Sequence, residues 1–116
     1  MHELSVCQGL IKQVSQIAAE HNATHVEKIY LQVGPLAGVE PALLQTAFPI
    51  ARINSLAEQA EMFIQTMPIR VRCKTCSAES EASLNNLTCL ACGDWQTELL
   101  SGDELLIERI EMQTTQ

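Results

Sequence analysis

Two short cysteine pairs carry the most specific chemistry in this chain: Cys73-Lys74-Thr75-Cys76 and, twelve residues later, Cys89-Leu90-Ala91-Cys92. Thiolates are soft ligands, and each Cys-x-x-Cys pair folds into a tight knuckle. Two knuckles joined by a short hairpin can therefore close a tetrahedron of sulfur around one Zn²⁺. Gly93 directly follows the second pair, where a knuckle needs a residue that tolerates positive φ while backbone N–H groups turn toward sulfur. Two disulfides, or thiols that are merely buried, are the competing readings of the same residues. The spacing favours structural zinc on Cys73, Cys76, Cys89 and Cys92.

A second set of donors opens the chain, Met1-His2-Glu3. With a free terminus, an α-amine, deprotonated backbone nitrogens, the His2 imidazole and a carboxylate crowd together, a set that suits square-planar Ni²⁺ or Cu²⁺. The amine, the Glu3 nitrogen and the imidazole each form a chelate ring with the His2 nitrogen, yet a square offers that nitrogen only two cis neighbours. The fourth ligand then comes from elsewhere: the Glu3 or Glu40 carboxylate, or water. Taken alone the motif is unspecific, because His-Glu also starts ordinary helices and Glu3 suits the positive end of a helix dipole.

The elements that must position these groups follow from periodicity. Leu4, Cys7, Leu10, Ile11, Val14, Ile17 and Ala18 fall on one face of a helix over 3–20. Asn22 is suited to the left-handed conformation that ends it. Cys7 reads as a small core residue of that stripe, and His21 and His25 as solvated loop or cap residues. Val26 to Val33 alternates as a strand with Ile29, Leu31 and Val33 on one face. Pro41 starts a second helix, which Pro49 is expected to kink or break. Ala60 to Met67 alternates again, and Pro68 to Arg72 is expected to continue extended into the first knuckle. Trp95 to Leu100 reads as a short strand, Ser101-Gly102-Asp103 as a turn, and Glu104 to Met112 as a last strand. In that strand Leu106, Ile110 and Met112 share one parity and Leu105 and Ile107 the other, which leaves its buried face open, and a bulge near Glu108 and Arg109 is one way to reconcile them.

The fold expected is α+β: two helices packed on a small three-stranded sheet, with an inserted four-cysteine zinc lobe. Residues 1–68 and 101–116 form the α+β part and 69–100 the lobe, which is too small to fold on apolar burial and depends on its metal.

Composition narrows the function. Seven Lys and Arg stand against fourteen Asp and Glu, a net charge of −7, and zinc on four thiolates makes it more negative still. No basic stripe exists to displace phosphate counterions, which argues against nucleic acid. No apolar run reaches the ~18 residues of a membrane helix, and the start lacks the character of a signal peptide, so a reducing cytoplasm is expected. No nucleophile elbow, phosphate loop or paired acid/base motif points to an enzyme.

Four blocks together resemble the HypA/HybF family of nickel-insertion accessory proteins for [NiFe]-hydrogenase: Met1-His2-Glu3-Leu4-Ser5-Val6-Cys7-Gln8, the segment from Leu31 to Pro41, the two cysteine pairs, and Gly102-Asp103-Glu104-Leu105 through Ile110-Glu111. The resemblance spans nearly the whole chain. It implies a non-enzymatic nickel metallochaperone that works with the GTPase HypB to load the hydrogenase large subunit, and in some organisms helps urease; a homodimer is left open. It maps nickel onto His2, Glu3 and the Met1 amine, with Glu40 as a fourth ligand, and structural zinc onto the four cysteines. The zinc loop holds no His, so a pH-responsive ligand exchange there does not carry over. A zinc-ribbon interaction module without a nickel role, and a thiol redox switch, are the rival readings.

Overall fold

A computed structural model describes residues 2–114. The order is α1 (His2–Glu20), β1 (Ala23–Val33), a 3-10 turn at Pro35–Ala37, α2 (Pro41–Ala51), β2 (Glu61–Thr66), β3 (Ile69–Cys73), β4 (Glu79–Ala82), β5 (Thr97–Ser101) and β6 (Leu105–Thr114). The strands make two three-stranded sheets, β2-β1-β6 and β4-β3-β5.

The first sheet is the helix-covered one. β1 runs parallel to β2 and antiparallel to β6, placing Ile29 beside Met62 and Ile110, and Leu31 beside Ile64 and Ile107. These rows face Cys7, Ile11, Val14 and Ala18 of α1 and Leu44 and Phe48 of α2, in one continuous apolar core. Each fully buried aliphatic side chain there contributes about 1.5–3 kcal/mol. The parity conflict in β6 is resolved by a bulge: Arg109 pairs with Tyr30 and Ile107 with Leu31, so Glu108 is left over. Leu105 and Ile107 before the bulge and Ile110 and Met112 after it all pack on the core, because one extra residue flips the alternation.

α1 ends as its sequence suggests, with Asn22 at φ 57. Pro49 does not stop α2, which continues to Ala51. The proline sits in the last turn on an exposed face, its fixed φ is helical, and the chain caps itself by Arg52 N–H donating to the Phe48 carbonyl at 3.0 Å. Side chains of α2 and its C-cap reach the free side of β2 and the residue before it: Gln45 Nε2 donates to the Met62 carbonyl at 2.9 Å and the Arg52 guanidinium to the Ala60 carbonyl at 2.6 Å.

Ile69–Cys73 is not a continuation of β2. The chain turns at Met67 and Pro68, and β3 becomes the centre of the second sheet, with Ile69, Val71 and Cys73 buried on one face. β4, which periodicity alone does not reveal, pairs antiparallel with β3, and Arg72 spans the opposite face between Glu79 at 2.8 Å and Glu98 at 3.2 Å. His25 lies within β1 opposite Gln113, and not in the connection after α1.

Candidate metal centre

The hairpin β3–β4 and the start of β5 hold two knuckles built alike. In the first, the N–H groups of Thr75 and Cys76 point at Cys73 Sγ, at 3.3 and 3.4 Å. In the second, those of Ala91 and Cys92 point at Cys89 Sγ at the same distances. Cys73 N–H donates to the Ala78 carbonyl and Cys89 N–H to that of Asp94, both at 2.9 Å. Each knuckle closes on a left-handed residue: Gly93 at φ 79 and Ser77 at φ 65. Ser77 is the one that sequence reasoning missed, and laying the two Cys-x-x-Cys-x segments over one another finds it. A hydrogen bond of 2.6 Å from Thr75 Oγ1 to Asp94 Oδ2 joins the knuckles, and Asp94 Oδ1 also accepts from Gln96 N–H. The Thr75 hydroxyl and the Gln96 N–H hold the Asp94 carboxyl below its ordinary value.

The four sulfur atoms lie within 4.8 Å of one another, with Cys73–Cys92 and Cys76–Cys89 both at 3.6 Å. A ZnS₄ tetrahedron with Zn–S near 2.3 Å has edges of about 3.8 Å. The cluster therefore fits a structural zinc. Its electrostatics are arranged for thiolate: the N–H of Cys76 leads in lowering Cys73, and that of Cys92 leads in lowering Cys89 to about 7. Cys92 keeps an Asp94 N–H at its sulfur, yet Cys73 and the other neighbouring thiols push it up to about 12. Zn²⁺ bound by Cys73, Cys76, Cys89 and Cys92 would take the place of the thiol protons. Among the described residues this is the one group of three or more His, Cys, Asp or Glu side chains that could hold an ion.

The N-terminal donors lie at the start of α1. Met1 falls outside the described residues. The His2 imidazole is exposed, with Nε2 3.7 Å from the largely buried Glu3 carboxylate. Glu3 Oε2 accepts the Glu40 N–H at 3.3 Å, so Glu3 is brought to the backbone of Glu40, the exposed N-cap of α2. The first-turn N–H groups of a helix have no intrahelical acceptor, which leaves the His2 and Glu3 nitrogens outside the hydrogen-bond ladder of α1.

Cys7 is a core residue: it is 1% exposed, its S–H donates to the Leu44 carbonyl at 3.4 Å, and burial followed by the Glu3 charge pushes the thiol up. His21 caps α1, with Nδ1 2.8 Å from the Ile17 carbonyl. His25 contacts Thr24 Oγ1 at 3.2 Å and lies 4.0 Å from the Glu27 carboxylate. No helix among the described residues is long and apolar enough to cross a membrane.

Known proteins share both the sequence and the shape. Residues 1–112 match the family described as hydrogenase/urease nickel incorporation, metallochaperone, hypA. The chain is 44% identical over 115 residues to the hydrogenase maturation factor HypA of Nitrosospira multiformis, covering 99% of this chain and 100% of that protein. It is 34% identical over 113 residues to that of Aquifex aeolicus, covering 97% and 98%. The solution structure of the Ni metallochaperone HypA from Helicobacter pylori superimposes with a TM-score of 0.72 at 26% identity, over 99% of this chain and 100% of that one. A second HypA solution structure gives 0.74 at 25%, over 99% and 98%. With the family pattern matched across residues 1–112, the knuckles in place and the whole chain superimposable on these structures, this chain belongs to the HypA family of nickel-incorporation metallochaperones for hydrogenase maturation.

Proposed function

We propose that this chain binds one Ni²⁺ at its N-terminus, through the Met1 amine, the His2 backbone nitrogen and the His2 imidazole, with the Glu3 or Glu40 carboxylate or water as the fourth ligand. The observation that carries this reading is the exposed His2 ring at the first turn of α1, beside a carboxylate anchored to the start of α2. Residues 1–68 and 101–116 form the nickel-binding part and 69–100 the zinc lobe. The protein is a carrier and not a catalyst, acts in the cytoplasm, and hands nickel toward the hydrogenase large subunit together with the GTPase HypB. Cu²⁺ binds such donors more tightly than Ni²⁺, so selectivity rests on metal supply and delivery.

The test is a nickel titration of zinc-loaded, untagged protein with its native first residue. One Ni²⁺ per chain is expected, and His2→Ala abolishes tight binding with zinc content and helicity unchanged. A short N-terminal extension, which turns the amine into an amide, does similar damage. Unaltered affinity in His2→Ala refutes the site and directs the search to His21, His25 and Cys7. A second reading, an interaction module with no nickel role, is favoured by the exposed Leu90 and Trp95 on the zinc-bearing knuckle and its flank; it predicts no second stoichiometric metal in the same titration.

A further inference from the structure

Two passages of chain connect the sheets, and both are tied down at the same place. In the first, Met67 N–H donates to the Val33 carbonyl at 2.9 Å and Ser101 Oγ to the Pro68 carbonyl at 2.8 Å. In the second, Gly34 N–H donates to the Glu104 carbonyl at 2.8 Å, Leu36 N–H to the Gly102 carbonyl at 2.7 Å, and Gly102 N–H to the Glu104 carboxylate at 2.9 Å. A flexible linker is solvated and leaves its amides to water. Here the Met67 and Gly102 amides and the Pro68, Gly102 and Glu104 carbonyls are all bonded within the protein.

The two glycines let the strands meet this closely. A Cβ on Gly34 would fall on the Gly102 carbonyl. Gly102 is buried at φ 117, and a Cβ there would lie 2.9 Å from Ile69 Cα, in the central strand of the zinc sheet. Backbone thus lies against backbone at both glycines, with the Glu104 carboxylate beside Gly34 and the Ile69 side chain beside Gly102 leaving no room for a further atom. From this crossing the chain runs through the Pro35–Ala37 turn, left-handed Gly38 at φ 80 and buried Val39 to Glu40. Leu84 of the zinc-bearing part shares a cleft with Pro35, Val39, Glu40 and Pro41.

We infer that the Gly34–Gly102 crossing is a rigid joint that holds the zinc sheet and the start of α2 in one fixed relation, making Gly34 and Gly102 positioning residues for Glu40. The part concerning Glu40 rests on the nickel reading above; the joint itself does not.

The test uses the zinc-loaded full chain and amide residual dipolar couplings. One alignment tensor fits both sheets in the natural sequence, and a chain that needs two tensors overturns the joint. Gly34→Ala is expected to split the tensor in two and to weaken Ni²⁺ binding at least tenfold, with zinc content and α1 helicity retained. A single tensor in that variant overturns the joint, whereas a split tensor with unchanged nickel affinity overturns the positioning of Glu40 alone. If Gly34→Ala does not fold, Glu104→Ala removes only the carboxylate on Gly102. It is expected to speed hydrogen exchange at the Gly102 and Leu36 amides at least tenfold, and unchanged exchange overturns the joint. A nickel site that survives His2→Ala refutes the nickel reading and leaves the tensor result standing.

Discussion

Glu3 Oε2 accepts the Glu40 N–H at 3.3 Å and so fastens the first turn of α1 to the N-cap of α2. Burial pushes the Glu3 carboxyl up, but the Glu3 and Glu40 N–H groups and the His2 ring outweigh it and hold the group below its ordinary 4.5. A carboxyl whose pKa is lower folded than unfolded stabilises the fold fully above the unfolded value and loses that contribution as pH falls through the folded one. The charge-dependent stability from Glu3 is thus present above about pH 4.5 and disappears below it. Glu3→Gln, which keeps an acceptor oxygen without the charge, should flatten this part of the acid limb in thermal unfolding series.

Zinc should hold the second sheet together without being needed for the first. Replacing Cys76 or Cys92 by Ser removes a ligand, and β3, β4 and β5 should lose their amide dispersion while the α1 and α2 signals persist, since that core has its own apolar contacts. Circular dichroism and amide spectra of the zinc-free variant check this. An undisturbed second sheet would contradict it.

Nickel affinity should fall as pH drops from about 8 to 6, because the imidazole and the α-amine coordinate only without their protons, so that binding releases them. Isothermal titrations at several pH values measure the slope. A flat profile would exclude both donors.

Leu44 is fully buried, and its carbonyl receives the Cys7 S–H. Leu44→Ala should cost about 2–5 kcal/mol by leaving a cavity between α2 and the sheet. Chemical denaturation reads that loss directly.

Pro49→Ala should stabilise the protein. The proline leaves the Gln45 carbonyl without its helical donor; in the last turn the N–H restored is worth about 1 kcal/mol, and the gain in unfolded-chain freedom reduces this to a net stabilisation under about 1 kcal/mol. A higher melting temperature is the expected readout.

Much of this molecule was legible in the residues because its signals are local. The α1 stripe, the Ile29, Leu31 and Val33 alternation and the left-handed Asn22 each depend on a few neighbouring positions. The knuckles were legible because metal-ligand spacing is itself short-range. β4 was not: Glu79-Ser80-Glu81-Ala82 carries little apolar alternation and becomes a strand only because β3 offers it a partner. The extended run after Pro68 into the first knuckle was legible, but its place as the central strand of a second sheet depends on β4 and β5, which pair with it from a distance. Helix α2 outlasted Pro49 because a proline in the last turn removes one bond and little more. The tie between Glu3 and Glu40 is a contact between residues far apart in sequence, which no periodicity encodes.

The amide of Gln45 and the guanidinium of Arg52 occupy carbonyls at the border of β2 that another polypeptide would otherwise use. An unpaired strand border of this kind is where chains can recruit one another into fibrils. With those acceptors already taken from within, growth by strand addition is discouraged on that side even when the protein is crowded. The protection rests on two polar side chains, one on α2 and one at its C-cap, while the other face of that helix serves the core.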